Sequence, residues 1–366
     1  MKLSVNKNQL SVALSMVANV ADRRSSMPIL SFVLLDFSGS TVSITATDLE
    51  ISQTAICDAE VKEPGQIAVS AETLLKIVKE LPNGSTIDMK NGKNDKLLIN
   101  CGKTKFRIPT MPADKFPEIP KDSGIEMSFN SSELLRMINK TSFAMSIDST
   151  RMILNGVSFS VNDGSMSMSA TDTYRACMTK TGVDIDIEDF NVIIPSKAVG
   201  EIKKTLGTLK DSNVDITIGN GFLTMTSPGQ KIITKLVEGN FPDVSRIIPK
   251  NNHIKIQVSR AELVKSVKMM LVLTNQNSKG IKIEFVNNRL TVSVANPEND
   301  QGESEFDIEY TGEPVTIGFS GRYLLDTLTA MSGNDVLIEI KNSEAPVLLT
   351  DPDDPDSMYV LMPLRV

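Results

Sequence analysis

Apolar residues fall at helical spacing in six stretches of the chain and alternate with polar ones between them. One kind of helical stretch opens on a capping signature: Asn6 with Gln9, Asn130 with Glu133, and Ser259 with Glu262. In such a box the cap side chain takes an orphan backbone N–H, and the residue three positions on reaches back to the N–H of the cap. The other kind starts at Ser70, Pro195 and Ser320, at an interval of 125 positions both times. Each of these stops near a glycine (Gly84, Gly207 or Gly333) and leads into an alternating stretch of strand type at 86–89, 214–218 and 336–340. The predicted helices are 6–20, 71–81, 131–146, 196–207, 259–275 and 321–332.

The strands between the helices repeat as well. Residues 42–48 read Val-Ser-Ile-Thr-Ala-Thr-Asp, residues 166–172 Met-Ser-Met-Ser-Ala-Thr-Asp, and residues 290–296 Leu-Thr-Val-Ser-Val-Ala-Asn. The chain therefore reads as three tandem copies of one unit, 1–122, 123–250 and 251–366, each an ordinary domain in size. Helix, strands, helix, strands make an α+β layer, two helices packed on antiparallel sheet. Open strand edges invite aggregation, so the units are expected to sit side by side with their sheets joined.

The first two copies close with Phe116-Pro117 and Phe241-Pro242-Asp243, whereas the third runs into Tyr359–Val366, apolar almost to the final residue. Termini fray unless something ties them down. Large apolar side chains left in water forfeit on the order of 1.5–3 kcal/mol each, so this end is expected to be packed. Two readings fit it: an edge strand that closes a sheet, or a strand whose tip walls an apolar groove for a partner's peptide.

Charge changes the picture. The chain carries a net −7, which by itself argues against nucleic acid. Yet the six predicted helices hold twelve basic side chains against six acidic ones. On the helix from Ser131, Leu134, Ile138 and Met145 share one face while Arg136 and Lys140 share another. Each helix is expected to pack its apolar face on the sheet and turn a basic face outward. A basic lining on an acidic body holds phosphates without reading bases.

Composition narrows the chemistry. At 366 residues, 40% hydrophobic and 23% charged, the chain is long enough for two or three ordinary globular domains. No apolar run is long enough to span a membrane, and the start shows no secretory signal, so a cytoplasmic protein is expected. Three scattered cysteines, Cys57, Cys101 and Cys177, suit reduced core positions. A single histidine, His253, excludes most histidine metal sites and the serine–histidine–aspartate triad. There is no phosphate-binding loop, dinucleotide fingerprint or zinc-protease motif. The stretch Asp351–Asp356 lacks the spacing of a calcium loop and reads as a solvated turn before the last strand. Asp48 and Asp172 sit at equivalent repeat positions, where an aspartate that caps the following turn explains the repetition better than paired catalysis. No cofactor, metal or catalytic residue is expected.

The chain resembles the bacterial β sliding clamps, the processivity subunits of replicative DNA polymerase III, over its whole length. The residues that carry the resemblance are Met27–Leu30, Ala46–Glu50, Leu154–Gly156, Ala170–Asp172 with Arg175, Lys235–Gly239 with Phe241–Asp243, and the terminal Tyr359–Arg365. The resemblance implies a head-to-tail homodimer, six units in a ring around double-stranded DNA, with helices lining the channel. It implies a non-catalytic tether, independent of sequence, opened by a clamp loader and shared by the polymerase catalytic subunit and other partners that carry a clamp-binding motif.

By the same resemblance, the partner-peptide groove is expected at Leu154, Thr171, Tyr174, Arg175, Pro242, Arg246, Ile247, Tyr323, Pro346, Val360, Leu361, Met362, Pro363, Leu364 and Arg365. Bulky apolar walls with an arginine rim suit a Leu/Phe-bearing peptide. Ala176 stands where a leucine is common, and Ser278 where some members carry an aromatic. The DNA-facing residues implied are Arg24, Arg151, Met152 and Lys197, with the helix cations Lys76, Lys79, Arg136, Lys140, Lys203, Lys204, Lys265 and Lys268; Thr73 is uncharged where some relatives place arginine. The ring joint is implied at Lys103, Lys105 and Phe106 of the first unit against Val272, Leu273, Glu298 and Glu303 of the third. On residues alone, two other classes stay open: a repeat scaffold that binds peptides without encircling DNA, and an enzyme using Asp48 and Asp172.

Overall fold

A computed structural model describes residues 1–121, 123–182, 189–275, 279–297 and 300–365. In the first third, β1 (Lys2–Asn6) leads into α1 (Lys7–Val17), followed by β2 (Phe32–Ser38), β3 (Thr41–Thr47), β4 (Ile51–Glu63), β5 (Gly65–Ser70), α2 (Ala71–Glu80), β6 (Thr86–Asn91), β7 (Lys96–Cys101) and β8 (Thr104–Met111). The second third repeats this order: β9 (Ile125–Asn130), α3 (Ser131–Thr141), β10 (Gly156–Asn162), β11 (Ser165–Thr171), β12 (Arg175–Gly182), β13 (Phe190–Pro195), α4 (Ser196–Leu206), β14 (Asn213–Gly219), β15 (Phe222–Ser227) and β16 (Gln230–Lys235). The last third has β17 (Ile254–Ser259), α5 (Arg260–Met270), β18 (Gly280–Val286), β19 (Arg289–Ala295), β20 (Gln301–Asp307), β21 (Val315–Ser320), α6 (Gly321–Ala330), β22 (Asp335–Ile340), β23 (Val347–Asp351) and β24 (Asp354–Leu361).

The chain divides into two compact units, one of Met1–Ser132 with Gly200–Leu236 and one of Glu133–Val199 with Val237–Val366. The first holds a twelve-stranded sheet in the order β1-β6-β7-β8-β5-β2-β3-β4-β16-β15-β14-β9. The second holds an eight-stranded sheet, β13-β10-β11-β12-β24-β23-β22-β17, and a four-stranded one, β20-β19-β18-β21. The joining of repeats through their sheets is met at two seams. Gln230–Thr234 of β16 pairs antiparallel with Ile51–Ala55 of β4. Arg175–Thr179 of β12 pairs with Ser357–Leu361 of β24.

Local rules place the helices. Asn6 Oδ1 accepts from the N–H of Asn8 and Gln9, and Asn130 Oδ1 from that of Ser132. Ser70, Ser259 and Ser320 each accept from the N–H three residues on. The repeated aspartates do what their positions suggest. Asp48 Oδ1 accepts from the N–H of Glu50 and Ile51, and Asp172 Oδ1 from that of Tyr174 and Arg175. The residue inside each turn, Leu49 or Thr173, has φ +79°, a strained setting for a side-chain-bearing residue that the two aspartate bonds hold in place.

Several expectations need correction. Every helix is shorter than its periodicity suggests. The stretch 131–146 is helical only to Thr141 and then tightens to a 3₁₀ turn at Ser142–Ala144, and 259–275 likewise gives way to a 3₁₀ turn at Leu271–Leu273. The last strand is not an edge strand: β24 lies between β12 and β23. In the terminal apolar run the fully buried residues are Tyr359, Val360 and Leu361, whereas Met362 and Leu364 are exposed. Helix α1 has no outward basic face, because its Lys7 is buried and donates to Asn83 Oδ1 at 2.7 Å.

The acidic turn is not fully solvated either. Asp351 is completely buried and accepts from the N–H of Ser332, Gly333 and Asp353 at 3.1, 2.7 and 3.0 Å. A Cβ at position 333 would lie 2.1 Å from Asp351 Oδ1, so Gly333 serves close approach to a carboxylate. Asp351→Ala orphans these buried donors and is expected to cost about 2–4 kcal/mol. Urea denaturation of the variant checks this, and an unchanged midpoint would remove the role given to the carboxylate.

Candidate partner groove and nucleic-acid face

The seam between β12 and β24 sets the groove, since Arg175 faces Leu361 and Ala176 faces Val360 across it. Beneath lies an apolar cluster of Ala176, Met178, Ile193, Phe241, Val244, Leu348 and Val360, with Ile153, Leu154, Val237, Ile248 and Met358 packed against it. Leu154 and Val360 thus share one apolar body. Phe241 and Val244 bring Pro242, Arg246 and Ile247 to its surface, where all three are exposed. The chain beyond β24 is tied down twice: Met362 N–H donates to the Tyr174 carbonyl at 2.9 Å and Leu364 N–H to the Gly318 carbonyl at 2.8 Å. Thr171 is buried, its hydroxyl donating to the Arg175 carbonyl, and Pro346 and Pro363 are half-buried.

Arg175 is not a rim residue. Its side chain is 9% exposed and fully engaged: Nε donates to Asp172 Oδ2 at 3.0 Å, Nη1 to Asp326 Oδ2 at 2.9 Å and Nη2 to the Phe143 carbonyl at 2.6 Å. Its guanidinium lies 4.3 Å from the Tyr323 ring centroid and 5.2 Å from that of Phe143. Tyr174 in turn stacks on Tyr323, ring centroids 6.3 Å apart. Arg175 therefore fixes the aromatic wall from behind. The rim arginines are Arg246, 84% exposed and paired with Asp243, and Arg365, paired with Glu344 at 3.2 Å. Phe143, Phe241, Val244 and Asp326 escaped the sequence reading. Only Phe241 stood in a noticed motif, and Asp326 was visible as an i,i+4 partner of Arg322.

The cations divide into those exposed to water and those committed to the fold. Arg24, Lys79, Arg151, Lys197, Lys203, Lys204, Lys265 and Lys268 are exposed, as are Lys76 and the uncharged Met152 and Thr73. Lys76 pairs with Glu72, Lys204 with Glu201 and Lys265 with Glu262. The Lys76 and Lys265 pairs are exposed and hold their partners weakly, whereas Lys204 answers a buried Glu201. Lys140 and Arg136 are placed differently from the expectation. Lys140 is 4% exposed and paired with Asp354, while Arg136 bridges Glu133 at 2.8 Å and Asp354 at 3.5 Å. Both cations are committed to the hairpin between β23 and β24 and are not part of a free basic face.

Burial pushes the Asp354 carboxyl up, but hydrogen bonds from Lys140 and Ser357 and the charges of Lys140 and Arg136 outweigh it, and the group ends below its usual range. The hydrogen bond from Arg136 lowers Glu133 as well, against burial. A depressed carboxylate stabilises the fold above its unfolded value, about 4, and the contribution fades as pH falls through the folded value. Stability to urea is therefore expected to drop below about pH 4, with a flatter acid limb in Asp354→Asn; equal slopes in the two proteins would contradict it. Burial also raises Cys57 to about 11 and Cys177 to about 12, so both are unreactive thiols at neutral pH.

Among the strands with an open edge, two carry opposite charge. Strand β8 pairs with β7 from Thr104 to Pro109 but meets β5 only at Thr110 and Met111. It carries Lys105 and Arg107 outward, next to Lys103, with Phe106 half-buried. Strand β20 pairs only with β19 and carries Glu303, Glu305 and Asp307 outward. Leu273 packs at β20, its Cδ1 3.0 Å from where a Cβ on Gly302 would stand, and Val272 beside it is 80% exposed. Ser278 and Glu298 lie outside the described residues.

Among the described residues no group of histidine, cysteine, aspartate or glutamate side chains is arranged to hold a metal ion, and no helix is long and apolar enough to cross a membrane. Three repeats with sheets fused edge to edge and an apolar groove beside the last strand describe a clamp-type protein. Family models of the DNA polymerase III beta subunit match throughout: the N-terminal domain at residues 1–120, the central domain at 128–243 and the C-terminal domain at 245–365. The chain is 34% identical to the beta sliding clamp of Pseudomonas aeruginosa and 32% identical to that of Caulobacter vibrioides, each match covering all of both chains. It is similar to the crystal structure of the Pseudomonas aeruginosa clamp bound to griselimycin, with a TM-score of 0.95 at 34% identity and full coverage of both chains. A Caulobacter crescentus clamp structure gives a TM-score of 0.95 at 33% identity, covering 100% of this chain and 99% of the other. The chain belongs to the DNA polymerase III beta subunit family, the beta sliding clamps. It is a processivity clamp of DNA replication and not an enzyme.

Proposed function

We propose that two copies close head to tail into a ring around double-stranded DNA, and that the link to DNA is topological. The observation that carries this is the opposite charge of two open strand edges. Strand β8 presents Lys105 and Arg107, and β20 presents Glu303, Glu305 and Asp307. One copy's β8 against the other's β20 satisfies both backbone edges, matches the charges, and buries Phe106 near Leu273. A heterologous joint of this kind uses each surface once per copy, and two such joints close a ring. The joint residues are then Lys103, Lys105 and Phe106 against Val272, Leu273, Glu303 and the neighbouring Glu298.

In this reading the three repeats are 1–122, 123–250 and 251–366, and the helices face the DNA. Contacts come from the exposed Arg24, Lys76, Lys79, Arg151, Met152, Lys197, Lys203, Lys204, Lys265 and Lys268. They hold phosphates only, so the ring slides without reading sequence. The polymerase catalytic subunit, a clamp loader and other partners insert a Leu/Phe-bearing motif into the groove around Leu154, Tyr174, Tyr323, Val360 and Met362. Ala176 at its floor, smaller than leucine, leaves room for a bulky anchor there. The setting is the cytoplasm, where the DNA is.

Retention on DNA tests the link. The protein is placed on a nicked circular plasmid by a loader proven on its own clamp, isolated at high salt, and the plasmid is then cut. Retention on the circle and release from the linear form are expected. Loss from the circle at high salt would mean electrostatic association alone and favour the scaffold reading. The joint has its own test: Phe106→Asp combined with Leu273→Asp is expected to give a monomer by light scattering, and a persistent dimer would move the joint elsewhere.

A further inference from the structure

Next to the groove, on the outer side of the tail, lies a cavity of about 750 Å³. Its floor is the face of the four-stranded sheet, where Lys282 pairs with Ser293, Ser293 with Glu303, and Ala295 with Gln301. Its far wall is Leu364 and Arg365. Leu364 is held there by its hydrogen bond to Gly318, so the residue that ends the groove begins the cavity. Lys279, Lys282 and Arg365 surround the opening, against one acid, Glu303. The lining itself thus holds three cations against one carboxylate, with the ion-pair partners Glu284 and Glu344 outside it. The ion pairs these cations make are replaceable: Lys282 reaches Glu284 at 3.3 Å with both about two-fifths exposed, and Arg365 reaches Glu344 at 3.2 Å with both largely in water.

We propose that this cavity is an acidic-residue subsite of the partner groove, and that it takes aspartate or glutamate side chains flanking the apolar motif of the same peptide. The proposal rests on the groove reading above. An extended peptide advances about 3.3 Å per residue, and Leu364 lines both the groove and the cavity, so residues that flank the motif on that side run toward the lysines. Continuity with the groove favours a peptide over a nucleic-acid phosphate. In the proposed joint Glu303 faces the basic strand of the second copy, and the cations are then left to the peptide.

The test uses the intact protein and fluorescence anisotropy. One labelled Leu/Phe-bearing peptide carries Ser-Gly flanks, and two others carry Asp-Glu on the amino or the carboxyl side. One acidic flank is expected to tighten binding about threefold to tenfold at low salt, with the gain lost near half-molar salt and in Lys279→Glu/Lys282→Glu. Equal affinities for all three peptides, or a gain that survives the charge reversal, would overturn the subsite alone. No binding of any peptide to the unaltered protein would overturn the groove and the subsite together. A labelled duplex oligonucleotide is run on the same two proteins. If the charge reversal weakens the duplex and leaves the flank effect untouched, the cations serve phosphate and the proposal fails.

Discussion

A strand edge is a row of unpaired N–H and C=O groups, and everything in this molecule follows from where those rows are paired. Strand β4 meets β16 and β12 meets β24, so the central repeat lends one half of its sheet to the first repeat and the other half to the third. The compact units accordingly ignore repeat boundaries and cut through α3 and α4. An edge left open in water attracts any other strand. Of the edges that stay open, those of β8 and β20 carry opposite charge, which restricts what they accept.

The groove is a by-product of one seam. Backbone pairing of Arg175 and Ala176 with Leu361 and Val360 brings two repeats' apolar faces together. The turn before the seam, capped by Asp172, has a twin capped by Asp48. In the first copy it carries Leu49 and Glu50, in the second Thr173, Tyr174 and Arg175. One backbone device therefore serves two purposes, and only the second copy has acquired the aromatic and the arginine. Arg175 has five N–H donors in a rigid fork, and here they are shared among a carboxylate of its own turn, a carboxylate of α6 and a carbonyl. Lysine has no geometry for all three.

What was legible in the sequence was what depends on near neighbours. Caps at Asn6, Ser70, Ser259 and Ser320, the turns at Asp48 and Asp172, and the threefold repetition of strands all act over a few residues, so their signals survive in the string. What was not legible depends on distant partners. Lys140 looks like any outward helix lysine until Asp354, 214 positions away, is folded against it. Arg175 reads as a rim residue unless Asp326, 151 positions on, is known to lie behind it. Asp351 reads as solvated because every residue of 351–356 is aspartate or proline, yet the loop after α6 needs an acceptor. Helix α1 was given a basic face by analogy with the other helices, and Lys7 turned inward.

The placement of β24 in the middle of an eight-stranded sheet has a consequence for inhibitors aimed at the groove. Val360 and Leu361 are buried among the strands that hold two repeats together, so a change there that repels a ligand also loosens the fold. Selection for resistance has little freedom at the floor. It is confined to side chains that stand in water, among them Tyr174, Pro242, Arg246, Ile247, Met362 and Leu364, and a molecule that draws its affinity from the floor leaves the protein few routes of escape.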